Sequence, residues 1–238
     1  MIGLQGSAGS NLACVVDCGL LVNLSVGAPL LASLIAMLLY GFVLVGRAPS
    51  LLRTVVKTAA VIALAYACLV WGSPWLLIAA LLACAMGDAF LAGDPKRWLA
   101  PGLGAFLIGH VLYIVLFTLH RPLGMEPSGL QMAGIGLVSA AAVAMLAFLW
   151  KHLGPLRPAV VLYVIVIAVM TGSSVLLTGS YWSAMIGSVA FMASDAVLAI
   201  SLFRDEKLFG SGRATDWAVW FLYYGAQIGI AAAFVGRG

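Results

Sequence analysis

Eight stretches of about 20 predominantly apolar residues follow one another almost without a gap, and each is long enough to cross roughly 30 Å of hydrocarbon as a single helix. Charged residues and Pro/Gly clusters divide them near 24–46, 55–72, 75–93, 98–119, 129–150, 159–178, 181–203 and 216–235. A backbone in hydrocarbon must satisfy its own hydrogen bonds, so helices and closed barrels are the available solutions. These segments are too long and too continuously apolar for the alternating strands of a barrel. The sequence therefore predicts an all-α fold, a polytopic bundle of eight transmembrane helices that forms one transmembrane domain over residues 1–238. The breaks at Gly72-Ser73-Pro74 and Thr178-Gly179-Ser180 are very short and imply tight antiparallel hairpins. Residues 1–23 read as a lead-in. No Lys or Arg precedes Arg47, so the positive n-region of a signal peptide is missing.

Composition narrows the function classes. Hydrophobic residues make up 64% of the chain and charged residues 8%, whereas a soluble domain carries about 25% charged residues. A soluble enzyme, a disordered chain and a nucleic-acid binder are excluded. The 12 basic residues form no run or patch. Their distribution instead sets an orientation. Ten of them (Arg47, Arg53, Lys57, Lys96, Arg97, Lys151, Arg157, Arg204, Lys207 and Arg213) fall around the connections after spans 1, 3, 5 and 7, against two, Arg121 and Arg237, on the other side. By the positive-inside rule both termini face away from the cytoplasm. Such a chain is expected as an integral multi-pass protein of the plasma membrane, the inner one in a bacterium. Four cysteines make neither a disulfide framework nor a CxxC pair, and Cys14 and Cys18 read as packing residues. Trp75, Trp98, Trp150, Trp182, Trp217 and Trp220, near span ends, read as interfacial anchors. The small pair Gly225-x-x-x-Gly229 suits helix packing and leaves the oligomeric state open.

A carboxylate inside hydrocarbon costs about 2.5–3.5 kcal/mol on insertion scales, so it faces a cavity or a partner. Asp88 and Asp195 lie well inside spans 3 and 7, whereas Asp17, Asp94, Glu126, Asp205, Glu206 and Asp216 fall at ends or in connections and read as solvated. The two surroundings echo each other: Gly87-Asp88-Ala89-Phe90-Leu91-Ala92 and Ser194-Asp195-Ala196-Val197-Leu198-Ala199 both follow small-Asp-Ala-x-Leu-Ala. Read as a duplication, the echo makes spans 1–4 and 5–8 parallel four-helix repeats. Read as chance in an Ala- and Leu-rich chain, it still places two acids at similar depth. His110 and Tyr113 share a face of span 4, Tyr224 and Gln227 share a face of span 8 with Tyr223 beside them, and Tyr163 lies early in span 6. If spans 3, 4, 7 and 8 meet, these groups line one polar pocket with the aspartates. Taken singly, each polar side chain also fits interhelical hydrogen bonding. Arg53 and Lys57, four residues apart, read either as positive-inside anchors or as a clamp for a lipid phosphate. GxGxxG, Walker, HExxH and GxSxG patterns are absent from the sequence.

Five ordered elements resemble the lysoplasmalogenase family, the YhhN-like membrane proteins: Lys57 at the opening of span 2, Gly87-Asp88-Ala89-Phe90-Leu91, Phe106 to Tyr113 as F-x-x-G-H-x-x-Y, Phe191 to Ala199 as F-x-x-S-D-x-x-L-A, and Tyr223-Tyr224-Gly225-Ala226-Gln227. Tyr163 to Met170 fits more loosely, and Thr58 stands where the family often has Pro. The resemblance implies hydrolysis of the vinyl ether bond of a lysophospholipid, the lysoplasmalogen. It implies Asp88 and Asp195 as catalytic residues. Lys57, His110, Tyr113, Tyr163, Ser194, Tyr223, Tyr224 and Gln227 would hold substrate, with Lys57 on the phosphate, and no metal or organic cofactor is needed. The chemistry suits the residues. Protonation at the β-carbon gives an oxocarbenium ion, to which water adds, and this asks for one protonated carboxyl and one carboxylate, as a pair sharing a proton supplies. A proton-coupled transporter would also carry buried acids and a repeat, and another lysophospholipid hydrolase would use a similar chamber. The partners expected are the lysophospholipid and membrane lipid, with no nucleic acid.

Overall fold

The computed structural model describes residues 27–93, 95–207 and 209–237. The lead-in 1–23 with Cys14, Asp17 and Cys18 lies outside them, as does Asp94. Among the described residues there is no strand, and eight helices are long and apolar enough to cross a membrane: α1 (Gly27–Leu44), α2 (Leu51–Val70), α3 (Trp75–Ala92), α4 (Pro95–His120), α5 (Gly129–Leu149), α6 (Arg157–Val175), α7 (Trp182–Arg204) and α8 (Gly212–Phe234). Their bounds fall within a few residues of the spans read from hydropathy.

Polar residues set the ends. The Ser50 hydroxyl accepts from the Arg53 N–H at the start of α2, Ser211 does the same for Ala214 at α8, and Ser128 with Gln131 closes a reciprocal capping box at α5. Between α2 and α3, Gly72 takes φ +64, so the Ser73 N–H folds back on the Cys68 carbonyl at 3.0 Å and the hairpin closes tightly. A short turn at Gly179–Tyr181 joins α6 to α7. Both tight connections are those the sequence implied.

With lipid on the outside, apolar contact alone gives helices little reason to associate, and close approach of small residues does the work. The most extensive pairings are α7 with α8, α3 with α4, and α2 with α3. At the α7–α8 crossing a Cβ on Gly187 would stand 2.7 Å from the Ala226 carbonyl oxygen, and one on Gly229 would stand 3.0 Å from that of Ser183. Gly229 therefore seals a contact inside the chain, while nothing lies within 4 Å of a Cβ at Gly225. At the α3–α4 crossing Gly109 seats the Cys84 sulfur, and Gly87 seats the Phe106 ring. Helix α6 packs on α4 and α5, while α5 is the least buried span.

The end of α1 departs from regularity. Residues Tyr40–Leu44 form a π turn, with the Val45 N–H donating to the Tyr40 carbonyl at 2.8 Å. Two α8 indoles fasten this end, Trp217 to the Gly41 carbonyl at 2.7 Å and Trp220 to the Met37 carbonyl at 3.1 Å. Trp220 is 2% exposed, which corrects its reading as an interfacial anchor. It stands two turns inside α8 on the face turned to α1.

Because the neighbours of Gly187 are backbone atoms, Gly187→Val is expected to lower stability by about 1–3 kcal/mol through overpacking. Gly225→Ala, with open space around it, is expected to leave the unfolding midpoint in detergent close to wild type. Thermal unfolding of the two variants side by side checks this.

Candidate active site

One cavity of about 690 Å³ runs through the half of the bundle where α1, α3, α5 and α7 end and α2, α4, α6 and α8 begin. The walls are largely apolar, with Leu103, Met145, Val164, Met192, Leu198 and Phe203 among them, and both Asp88 and Asp195 face into it. Each aspartate lies thirteen residues into its helix, counted from Trp75 in α3 and from Trp182 in α7. On the side between α5 and α7, Ala141, Ala144, Phe148 and Val189 line the cavity and are themselves exposed.

Each carboxyl has its own set of partners. Asp88 is fully buried. Its Oδ1 lies 2.9 Å from Lys57 Nζ, and its Oδ2 accepts from the Tyr223 hydroxyl at 2.6 Å. The Lys57 ammonium stands 5.9 Å from the ring centres of Tyr40 and of Trp220, which are 4.5 Å from each other. Lys57 is thus a partly buried counter-ion of Asp88 that also borders the cavity. The pairing follows from position: Lys57 is in the second turn of α2, Asp88 is in the last turns of antiparallel α3, and the two helices pack face to face.

Asp195 has neutral company. Its Oδ2 accepts from the Tyr163 hydroxyl at 2.6 Å, and His110 Nε2 stands 4.0 Å away. Neither His110 nitrogen has a hydrogen-bond partner, and the ring sits edge-on to Tyr163 and to Phe191. Phe191 contacts Tyr223 at 5.3 Å between ring centres, and Phe106 touches both. Aromatic edges therefore run from the His110 that flanks Asp195 to the Tyr223 that holds Asp88. The two carboxyls are thus partnered separately, Asp88 by Lys57 and Tyr223 and Asp195 by Tyr163.

Of the residues expected to hold substrate, Lys57, Tyr163, Ser194 and Tyr223 border the cavity. The Ser194 hydroxyl donates to the Val219 carbonyl at 2.9 Å and so joins α7 to α8. His110, Tyr113, Tyr224 and Gln227 are buried outside the lining. The Tyr113 hydroxyl donates to Gln227 Oε1, tying α4 to α8. The Tyr224 hydroxyl meets the Ser33 hydroxyl, which also donates to the Ala60 carbonyl, so α8, α1 and α2 share one polar contact. These are interhelical bonds among residues that the cavity lining does not include. Sequence reasoning missed Tyr40, Phe106 and Trp220 as wall residues; Asp216 is exposed, as read, and also borders the cavity. A Tyr two-thirds along span 1, where the flanking residues are apolar, was the available signal for the first.

Among the described residues no group of three His, Cys, Asp or Glu side chains is placed to hold a metal ion. The arrangement offers a carboxyl among neutral partners, a carboxyl paired with a lysine and an apolar channel.

The YhhN family model matches residues 52–234, from the first turn of α2 to the end of α8. The chain belongs to the YhhN family. With its eight membrane-length helices it is an integral multi-pass membrane protein, and aspartates of α3, α7 and α8 line its cavity. Two proteins named lysoplasmalogenase, from Mycobacterium bovis and Mycobacterium tuberculosis, are each 33% identical to this YhhN chain over 163 residues. The match covers 66% of this chain and 59% of each relative, so the chain spans less than two thirds of the length of those proteins. No solved structure matches it.

The ion pair makes a stability prediction for this YhhN protein. Lys57→Met leaves a buried carboxylate without its cation and is expected to cost about 3–5 kcal/mol, while Lys57→Met with Asp88→Leu recovers much of that loss. A double-mutant cycle of unfolding in detergent reads it; additive losses would show that the two side chains do not act on each other.

Proposed function

We propose that this YhhN protein hydrolyses the vinyl ether bond of lysoplasmalogens, releasing a fatty aldehyde and glycerophosphoethanolamine or glycerophosphocholine. The observation that carries the reading is the presence of two carboxyls in one apolar cavity, a buried one beside a cation and a partly buried one beside neutral groups. The names of the relatives point the same way.

The partners divide the roles. Asp88 sits against the Lys57 ammonium and is the group suited to carry negative charge. Asp195 faces a phenol and an imidazole, has no cation beside it, and is the group suited to carry a proton. Asp195 is therefore the acid. Its proton passes to the β-carbon of the alkenyl ether, and the α-carbon becomes an oxocarbenium ion flanked by the new Asp195 carboxylate. A water oriented by Asp88 adds to that carbon and returns a proton to Asp195. The hemiacetal then loses its hydroxyl proton as the glycerol oxygen gains one, which gives aldehyde and alcohol. Tyr163 holds Asp195 by its Oδ2, so Oδ1 carries the mobile proton. His110, outside the lining, acts through Asp195 by fixing its position. The alkenyl chain lies along the apolar wall of α5, α6 and α7, and the arginine-rich end of the bundle faces the cytoplasm, where the released phosphodiester leaves.

In deuterium oxide the aldehyde is expected to carry one deuterium at the carbon next to the carbonyl. Asp195→Asn is expected to lower turnover by about 10²-fold or more, the usual contribution of a positioned general acid. Mass spectrometry of the products from purified protein reads both. Unlabelled aldehyde would exclude protonation at carbon, and near-normal turnover in Asp195→Asn would remove Asp195 as the acid. Preference for an ester over a vinyl ether substrate would identify a lysophospholipase instead.

A further inference from the structure

At the surface end of the cavity, the connection after α1, the first turns of α2 and the first turn of α8 form a mouth that the proposed reaction does not use. Arg53 and Asp216 border it together with Gly46. Arg53 is held in place. Its Nε donates to the Tyr40 hydroxyl at 3.4 Å and its Nη1 donates to the Arg47 carbonyl at 3.1 Å. Gly46, with φ +73, brings the loop backbone close to α8, so that a Cβ there would stand 3.9 Å from Asp216 Oδ2 and 4.0 Å from Arg213 Nε.

The ion pairs among the described residues are Lys57 with Asp88, Arg204 with Glu206, and the looser His110 with Asp195. Arg53 and Asp216 belong to none of these. A cation and an anion that border the same opening, near enough to feel each other's charge but not in direct contact, are complementary to a molecule that carries both signs. The order along the axis agrees. Arg53 precedes Lys57 by four residues on α2, about 6 Å nearer the surface. A glycerol beside Asp88 and Lys57 therefore places the next group outward, a phosphate, within reach of Arg53. Asp216, beside the Gly46 loop, is the acid that borders the same opening.

We propose that Arg53 and Asp216 form a headgroup subsite that reads zwitterionic lysophospholipids, Arg53 taking the phosphate and Asp216 the terminal ammonium. The assignment rests on the lysophospholipid reading above, and it adds which residues read the two charges of the headgroup. Guanidinium and phosphate form a charge-assisted pair suited to this geometry. Asp216 disfavours an anionic headgroup, which would bring a second negative charge or none to meet it, and this repulsive element supplies the selectivity.

The experiment compares three vinyl ether substrates with the purified full chain in one detergent: alkenyl-glycerophosphoethanolamine, alkenyl-glycerophosphoglycerol and alkenylglycerol without a phosphate. Binding of the corresponding saturated alkyl ethers, which cannot undergo the chemistry, is measured alongside. The wild type is expected to favour the ethanolamine lipid over the phosphoglycerol lipid in kcat/KM and in Kd. Arg53→Gln is expected to lower the ratio of phosphate-bearing to phosphate-free substrate about tenfold, the scale of one charge-assisted hydrogen bond. Asp216→Asn is expected to bring the ethanolamine-to-phosphoglycerol ratio close to one, and Asp216→Lys to invert it. If both lipids bind Asp216→Asn and wild type in the same ratio, the subsite is overturned. If Arg53→Gln weakens all three ligands equally, Arg53 is a structural residue and the subsite is likewise overturned. Headgroup selectivity in Kd without aldehyde from any substrate would support the subsite and sink the hydrolase reading alone.

Discussion

The contact between Lys57 and Asp88 is what the rest of the bundle is arranged around. Either charge alone in hydrocarbon is costly, and together they are tolerable because the geometry is close and the remaining carboxylate oxygen is satisfied by Tyr223. The pair fixes α2 against α3, and Tyr223 adds α8. Trp220 and Tyr40 flank the ammonium and draw the end of α1 onto the same cluster. A second cluster on α4, α6 and α7 gathers around Asp195 through Tyr163 and His110. The cavity is the space these two clusters leave between them.

That division gives two aspartates in similar sequence contexts different chemical characters. Asp88 and Asp195 lie at the same depth of their helices and each accepts a tyrosine hydroxyl through Oδ2. What separates them is the lysine on α2, which has no counterpart beside Asp195. In the proposed reaction a single basic residue on a neighbouring helix is what divides a pair of like groups into an acid and a carboxylate.

Much of this was legible in the sequence. The eight spans follow from apolar length, and the tight turns at Gly72 and Gly179 from the residues found there. The two intramembrane acids followed from the cost of placing charge in lipid. The partners were less legible. Spacing places His110 with Tyr113 and Tyr224 with Gln227 on shared faces, but it does not fix the rotation of a helix about its own axis. The structure turns Tyr113 and Gln227 towards each other and Tyr224 towards Ser33, away from the chamber. Lys57 sits near enough to a span end to resemble an anchor until its neighbour on α3 is known. The π turn at Tyr40 was invisible, because a helix that gains one residue in a turn keeps the same hydrophobic content.

The exposed side of the cavity between α5 and α7 has a consequence for the energetics of turnover. A cleaved ether lipid yields one fragment that prefers oil and one that prefers water. Ala141 and Ala144 border the membrane flank, and Arg53 and Asp216 border the aqueous one. The two fragments can then depart into different phases by different doors. In the proposed hydrolysis each dilutes into a medium where it no longer meets the other, so the reverse reaction is starved of reactants without a separate release device.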